Sequence, residues 1–391
     1  MKHIFSNLLF KVFLAIVLGI VLGLYAPESV NRIFTTFNAF FGQFLNFAIP
    51  LIIMGLIMPA ISDLGKGAGK LLLLTAAIAY GSTLFSGFMT YLTASNIFPQ
   101  LLESHVNAAA QIAESGPELS PYFSINIPPV LDVMTALVLA FVIGLGLSYQ
   151  EESSLKRVVK DFQIIIMQLI ENVIVPLLPL FILGIFASMA FSGQVFSVLS
   201  VFISIIGVIF ALHILLLLLQ YTIAGALTKK NPIKLLVTMM PAYFTALGTQ
   251  SSAATIPVTL EQTLKNGVSE KIAGFVIPLC ATIHLSGSIM KITACAMALM
   301  ILQGLPFSFT LFAGFIFVLG IAMIAAPGVP GGAIMAAVGI LQSMLGFNEE
   351  MIGLMIALYI AMDSFGTACN VTGDGAISLV VNKIMKEKLV A

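Results

Sequence analysis

Thr249-Gln-Ser-Ser-Ala-Ala-Thr-Ile-Pro257 sits at the centre of an apolar stretch, residues 235–264, that is bounded by Lys229, Lys230 and Lys234 on one side and by Lys265 and Lys271 on the other. Basic residues collect in the cytoplasmic loops of membrane proteins, so both ends of this stretch belong on one side of a bilayer. It is too apolar for an ordinary loop and too short for two comfortable crossings at about 20 residues each. The expectation is a segment that dips into the membrane and returns. Its tip of small hydroxyl residues, closed by proline, is tolerable only where it lines a cavity or is buried in protein. A second stretch, 305–346, lies between Gln303-Gly304 and Glu349-Glu350, with no Lys or Arg at either end. Its centre, Ala325-Ala-Pro-Gly-Val-Pro-Gly-Gly332, holds two prolines and three glycines, which exclude an unbroken helix. It is expected to dip from the opposite face.

Composition makes lipid the main solvent of this chain. Hydrophobic residues form 59% of 391 and charged residues 9%, with a mean hydropathy of +1.09, which places it among polytopic membrane proteins. The formal net charge is zero and the basic residues are scattered, so no nucleic-acid partner is expected. Cys280, Cys295 and Cys369 all lie in apolar segments, which argues against a disulfide framework. The first apolar run, Leu8 to Leu24, ends in Gly-Leu-Tyr-Ala-Pro without a small-residue cleavage site and is read as a retained helix.

Eight apolar runs are long enough to cross the membrane, near 8–25, 36–60, 70–96, 128–149, 165–191, 196–224, 272–302 and 351–381. The segment 97–127 carries Glu103, His105, Glu114 and Glu118 but no Lys or Arg, and reads as an outward loop. Fifteen of the seventeen basic residues fall in loops that this topology places inside, which puts both termini in the cytoplasm of a multi-pass protein of the cell's inner (plasma) membrane. The exceptions are Arg32, in an outer loop, and Lys291, within a span. Asp132 and Glu171 fall near expected helix ends and read as packing acids.

The polar residues inside the spans are the candidate site. Asp363, Thr367, Asn370 and Asp374 are spaced by four, seven and eleven, and so share one helix face. A carboxylate in hydrocarbon costs about 2.5 kcal/mol or more unless it is paired or hydrated. His284, Ser288, Lys291 and Cys295 repeat the same spacing. Each dip is followed by a long helix with a polar interruption, His284-Leu-Ser-Gly-Ser288 after the first and Asn370-Val-Thr-Gly-Asp374 after the second. Two units of hairpin plus broken helix, entering from opposite faces, are the layout of an inverted-repeat secondary transporter with a midplane site. The fold class expected is therefore all-α integral membrane, with eight transmembrane helices and two re-entrant hairpins.

These motifs resemble those of the dicarboxylate/amino acid:cation symporters related to glutamate transporters, from about residue 163 to 385 and more loosely over Pro50 to Lys70. Ser251-Ser-Ala-Ala-Thr-Ile-Pro-Val258 is similar to the first hairpin tip, Gly328-Val-Pro-Gly331 to the second, and Asp363 with Asn370-Val-Thr-Gly-Asp374 to the last helix. The resemblance implies a homotrimer and an elevator mechanism. Scaffold helices 1–4 would occupy 1–160 and helices 5–6 would occupy 161–228. The transport core, 229–391, would hold hairpin 1 (235–264), helix 7 (271–302), hairpin 2 (305–346) and helix 8 (350–385). It also implies that Asp363 holds a substrate amino group, while Asn370, Thr367 and the hairpin around Ser251, Ser252 and Thr255 hold its carboxylate. Ser288, Val329, Gly331 and Gly366 would line the same site. Asn370 and Asp374, with free backbone carbonyls near Gly373, would form a sodium-ion site. Amide, hydroxyl and half-helix N–H donors suit a carboxylate, and an ammonium needs an acid, so the chemistry agrees.

Three departures shape the functional expectation. Where acidic-substrate members carry arginine three residues after the amino-binding aspartate, this chain has Gly366, which points to a small neutral amino acid as the imported substrate. Where members carry Asn-Met-Asp-Gly-Thr, this chain reads His284-Leu-Ser-Gly-Ser288, so the aspartate of one sodium site is Ser286; the third helix offers Thr75, Ile78 and Ala79 there. Lys291 then has three competing roles: a built-in cation replacing sodium, a proton carrier with His284, or the positive charge that Gly366 no longer supplies, which would suit an acidic amino acid or dicarboxylate. Coupling to a cation gradient with fewer sodium sites, or to protons, follows. A channel is a more remote alternative. An intramembrane aspartyl protease needs its acids face to face, whereas Asp363 and Asp374 lie roughly 16 Å apart along one helix. No G-x-x-x-x-G-K-[ST] loop is present, and no enzyme activity is expected.

Overall fold

The computed structural model describes residues 8–63, 70–113, 119–150, 153–193, 195–326 and 330–390, and helices account for nearly all of them. The early helices are α1 (Leu8–Tyr25), α2 (Glu28–Asp63), α3 (Lys70–Ala113) and α4 (Val133–Ser148). α5 (Ser154–Leu169) and α6 (Val175–Phe191) form one long run through a π-helical turn at Ile170–Ile174, and α7 spans Val195–Thr228. Pro176 has no N–H to return to the carbonyl four residues earlier, and a widened turn absorbs that loss. Among the described residues, six helical runs are long and apolar enough to cross a bilayer, and a seventh if one bent pair counts as a span.

Several boundaries differ from those expected. The run 128–149 is helical only over the 16 residues of α4, about 24 Å of helix, which is short for a span. The segment 97–127, read as a loop, begins as helix, because α3 continues through Pro99 to Ala113. Glu171 does not sit at a helix end but inside the π turn, with its side chain exposed. Asp132 is a helix N-cap: its carboxylate accepts the N–H groups of Met134 and Thr135 at 3.0 Å each. The Thr135 hydroxyl donates to it as well, and these bonds hold its carboxyl below the ordinary aspartate range.

The second half supplies shorter elements. α8 (Pro232–Thr238) leads into α9 (Met240–Thr249), which packs on α10 (Ser252–Lys265). α11 (Glu270–Ile283) and α12 (Ser286–Leu302) form one interrupted span. α13 (Phe309–Ala325) packs on α14 (Gly332–Leu345), and α15 (Glu349–Ala361) meets α16 (Asp363–Val390) at a 60° bend. α12 lies between α3 and α16, and α16 also touches α7, α9, α10 and α11. The polar face of α16 is thereby enclosed, and Asn370 and Asp374 are each 1% exposed.

α1 and α6 illustrate how the early helices bind. Ala15, Gly19 and Gly23 recur every four residues and are buried against α6, the small-residue spacing that lets membrane helices approach closely. A Cβ added at Gly19 would lie 2.5 Å from the Leu183 carbonyl oxygen, and one at Gly23 would strike the Ala187 carbonyl oxygen. Gly19→Val and Gly23→Val should each destabilise the protein by about 1–3 kcal/mol through overpacking. Gly146→Ala, with nothing within 4 Å of the added carbon, should be silent. Thermal unfolding midpoints in detergent check this contrast.

Candidate functional site

Two helix breaks lie inside the protein. The first is where the sequence placed it: His284 is extended (φ −108°, ψ 98°) and Leu285 (φ −120°, ψ 46°) caps the start of α12. Neighbouring helices brace this buried start, as lipid-embedded irregular backbone requires. The Ser86 hydroxyl of α3 donates to the Ser286 carbonyl at 2.7 Å, and His213 Nε2 of α7 meets the Gly287 carbonyl at 3.3 Å. The second break is not at Asn370–Asp374, as expected, but at Met362, one residue before Asp363; α16 runs unbroken through Gly373. Gly373 is there for space rather than for a kink, because a Cβ would lie 2.8 Å from both His284 Cε1 and Gln220 Oε1.

α12 and α16 run antiparallel and exchange contacts rung by rung. His284 Nδ1 lies 2.8 Å from Asp374 Oδ1. The Gly287 N–H donates to Asn370 Oδ1 at 2.7 Å, and Asn370 Nδ2 donates to Ser288 Oγ at 3.1 Å. Lys291 Nζ donates to Asp363 Oδ1 at 3.1 Å and, at 3.4 Å, to the Met362 carbonyl, which also accepts the Phe365 and Gly366 N–H groups that open α16. Its ammonium also lies 3.7 Å from the centroid of the Tyr359 ring, a cation–π contact strengthened by desolvation. Lys291 is fully buried and the Asp363 side chain is 6% exposed. Gly366 makes this possible: a Cβ there would lie 2.5 Å from Lys291 Nζ and closer still to its Cε. The lysine stem lies across the bare backbone at the position where the resemblance expects an arginine to begin.

Of the remaining predicted residues, Gly331 bonds directly to this pair. The other carboxylate oxygen of Asp363 accepts the Gly331 N–H at 2.9 Å, with Gly331 in the left-handed region (φ 76°) that caps α14. Val329, like Gly328, lies outside the described residues. Thr367 is buried one turn beyond Asp363. At the first tip, Ser251 caps α10 by accepting the Ala254 N–H at 3.2 Å, and Ser252 is buried beside it. The Thr255 hydroxyl donates to the Ser251 carbonyl at 2.8 Å and lies 3.0 Å from Thr249 Oγ1. The tip reaches α16 through Gln250, which takes φ 54° and donates to Ser364 Oγ at 2.9 Å.

Sequence reasoning missed Gln250, Ser364 and Tyr359, whose hydroxyl donates to Ser288 Oγ at 3.1 Å. It also missed Ser82 and Gln220 behind His284: Ser82 Oγ lies 3.1 Å from His284 Nε2, and Gln220 Nε2 donates to Ser82 Oγ at 3.0 Å. The one available signal was a polar residue in an otherwise apolar run. Cys295, spaced with Lys291, is a buried cysteine outside any disulfide.

Residues 8–384 match the sodium:dicarboxylate symporter family, and the chain belongs to it. That is a family of transporters, and the apolar helices agree with a multi-pass membrane protein. Sodium, a hard cation, takes a shell of oxygen ligands, and the residues expected to hold it do not fit that demand. Asp374 Oδ1 faces His284, Asn370 Oδ1 accepts from Gly287, and the Thr372 carbonyl accepts the Tyr221 hydroxyl at 2.7 Å. The carbonyls near Gly373 lie within unbroken helix and are spent in its own ladder.

The Lys291–Asp363 pair generates a stability prediction. Removing one partner leaves a buried charge alone, so Lys291→Met and Asp363→Asn should each cost about 3–5 kcal/mol. The double variant should cost less than either single change, which denaturant unfolding of the three proteins checks as a double-mutant cycle.

Proposed function

We propose that this chain is a secondary active symporter that imports a small neutral amino acid, driven by a cation gradient. The observation that carries the reading is the buried Lys291–Asp363 ion pair lying over Gly366. A zwitterion brings one charge of each sign and can replace both partners at once, its ammonium going to Asp363 and its α-carboxylate to Lys291. A dicarboxylate brings two anions to a site with one matched pair and would leave a buried charge uncompensated. Asn370, Thr367, Ser252 and the two tips, with Ser251, Thr255, Ser288 and Gly331, supply the hydroxyl, amide and N–H groups that finish the carboxylate's hydrogen bonding.

The working architecture is eight spans, of which α4 is the short fourth, with two re-entrant hairpins formed by α9–α10 and α13–α14. Both termini face the cytoplasm at the plasma membrane. The chain acts as a homotrimer in which 1–160 and 161–228 precede the moving core 229–391. Support for the hairpins comes from the lysine-flanked stretch around Gln250, where α9 and α10 pack on each other. The acidic-substrate reading has its own supporting observation, the presence of Lys291 where the arginine is lost.

Uptake of tritiated serine, aspartate and succinate into proteoliposomes tests this. Serine should be taken up saturably. Lys291→Met and Asp363→Asn, checked for folding by size exclusion, should each lower serine uptake about 100-fold, equivalent to about 2.7 kcal/mol. Aspartate or succinate uptake that depends on Lys291, with none of serine, would replace the neutral substrate with an acidic one. Uptake untouched by Asp363→Asn would remove the amino-anchor role.

A further inference from the structure

We propose that His284 takes the place of a coupling sodium ion: its imidazole is the built-in partner of Asp374, and this chain loads its substrate without sodium at that carboxylate. The inference takes its setting from the transport reading above and concerns the coupling of that site. Four observations carry it.

The first is occupancy of the acid. Asp374 is 1% exposed and His284 is fully buried, with Nδ1 2.8 Å from Oδ1. A carboxylate so far from water needs a partner, and here the partner belongs to the protein. The second is the loss of oxygen ligands, since Asn370 Oδ1 and the Thr372 carbonyl already accept protein donors at 2.7 Å each. Ser286 Oγ, Thr372 Oγ1 and Gln220 Oε1 have no partner among the described residues and are the neutral oxygens left for a cation once the imidazole is removed.

The third is space. The imidazole lies so close to Gly373 that a single added methyl there would come within 2.8 Å of Cε1. The fourth is that the ring is held from behind. Ser82 Oγ meets Nε2 at 3.1 Å and is itself held by Gln220 at 3.0 Å, the kind of outer support that fixes an imidazole's orientation. The same logic repeats two turns along α12, where Lys291 partners Asp363. Asp363 and Asp374 are thus each met by a side chain of the same neighbouring span, Lys291 and His284.

The test uses the full chain in detergent with no amino acid present, so that an error in substrate class leaves the result unchanged. Thermal unfolding is followed by circular dichroism in sodium chloride and in equal choline chloride. The parent should show equal midpoints, because a ligand that does not bind the native state adds nothing to stability. His284→Asn, which frees the Asp374 carboxylate, should gain a sodium-dependent rise that a further Asp374→Asn removes.

A parent midpoint that climbs with sodium, and stops climbing in Asp374→Asn, would overturn the proposal. A folded His284→Asn protein with no sodium response would overturn the role given to His284. If that variant does not fold, the parent titration and the parent's Asp374→Asn control decide alone. In proteoliposomes, replacing sodium by choline should change uptake of the transported substrate by less than about twofold, whereas a loss above about tenfold that Asp374→Asn shares would sink it. Absent serine uptake together with equal midpoints would overturn only the substrate class.

Discussion

The structure depends on pairing charge where water is absent. A lone buried ion forfeits its hydration and is tolerated only with a partner and further hydrogen bonds. Two carboxylates lie in the enclosed part of α16, and the adjoining interrupted span answers both: Lys291 brings its ammonium to Asp363, and the His284 imidazole hydrogen-bonds Asp374. The antiparallel register follows from that matching. Once His284 faces Asp374 and Lys291 faces Asp363, Ser288 is brought opposite Asn370, and the amide closes the rung between them.

Bringing two helices this close needs local concessions in the backbone. Gly287 and Gly366 provide them: a Cβ at Gly287 would lie 2.6 Å from the Gly366 carbonyl oxygen, and one at Gly366 would meet the lysine stem. The breaks serve the same end. The one at His284–Leu285 turns an imidazole toward Asp374, and the one at Met362 starts α16 at Asp363, where the carboxylate meets Lys291. Irregular backbone is costly in a membrane, and both breaks lie deep in protein where neighbouring side chains engage the exposed groups. The site and the distortions that build it are inseparable.

Much of this was legible in the sequence because a bilayer imposes simple rules. Apolar length, the sidedness of lysines and the price of a buried acid pointed to spans, to the tip around Thr249–Pro257 and to Asp363, Asn370, Asp374, Lys291 and His284 as one constellation. Less legible was whatever depends on which helix lies next to which. The bend at Met362 carries no glycine or proline, and the interruption was expected instead at Gly373, which packs closely within an intact helix. Tyr359 has no periodic signature; it matters only because α15 delivers its ring to the Lys291 ammonium. The acidic composition of 97–127 suggested a loop from its first residue, whereas the helix continues through Pro99 to Ala113.

Delivering the cation from α12 rather than from α16 has a mechanical consequence. A basic side chain rooted at position 366 would travel with Asp363 on one rigid helix, three residues away. Lys291 instead ties two helices together, and through Asp363 Oδ2 the same carboxylate also holds Gly331 at the tip between α13 and α14. A substrate that claims Asp363 must therefore displace the lysine and loosen the tip in one event. It must also bring an anion for the displaced ammonium, or leave a bare charge in a low-dielectric site. In the proposed cycle, selectivity for a zwitterion and release of the second tip are thus consequences of the same ion pair.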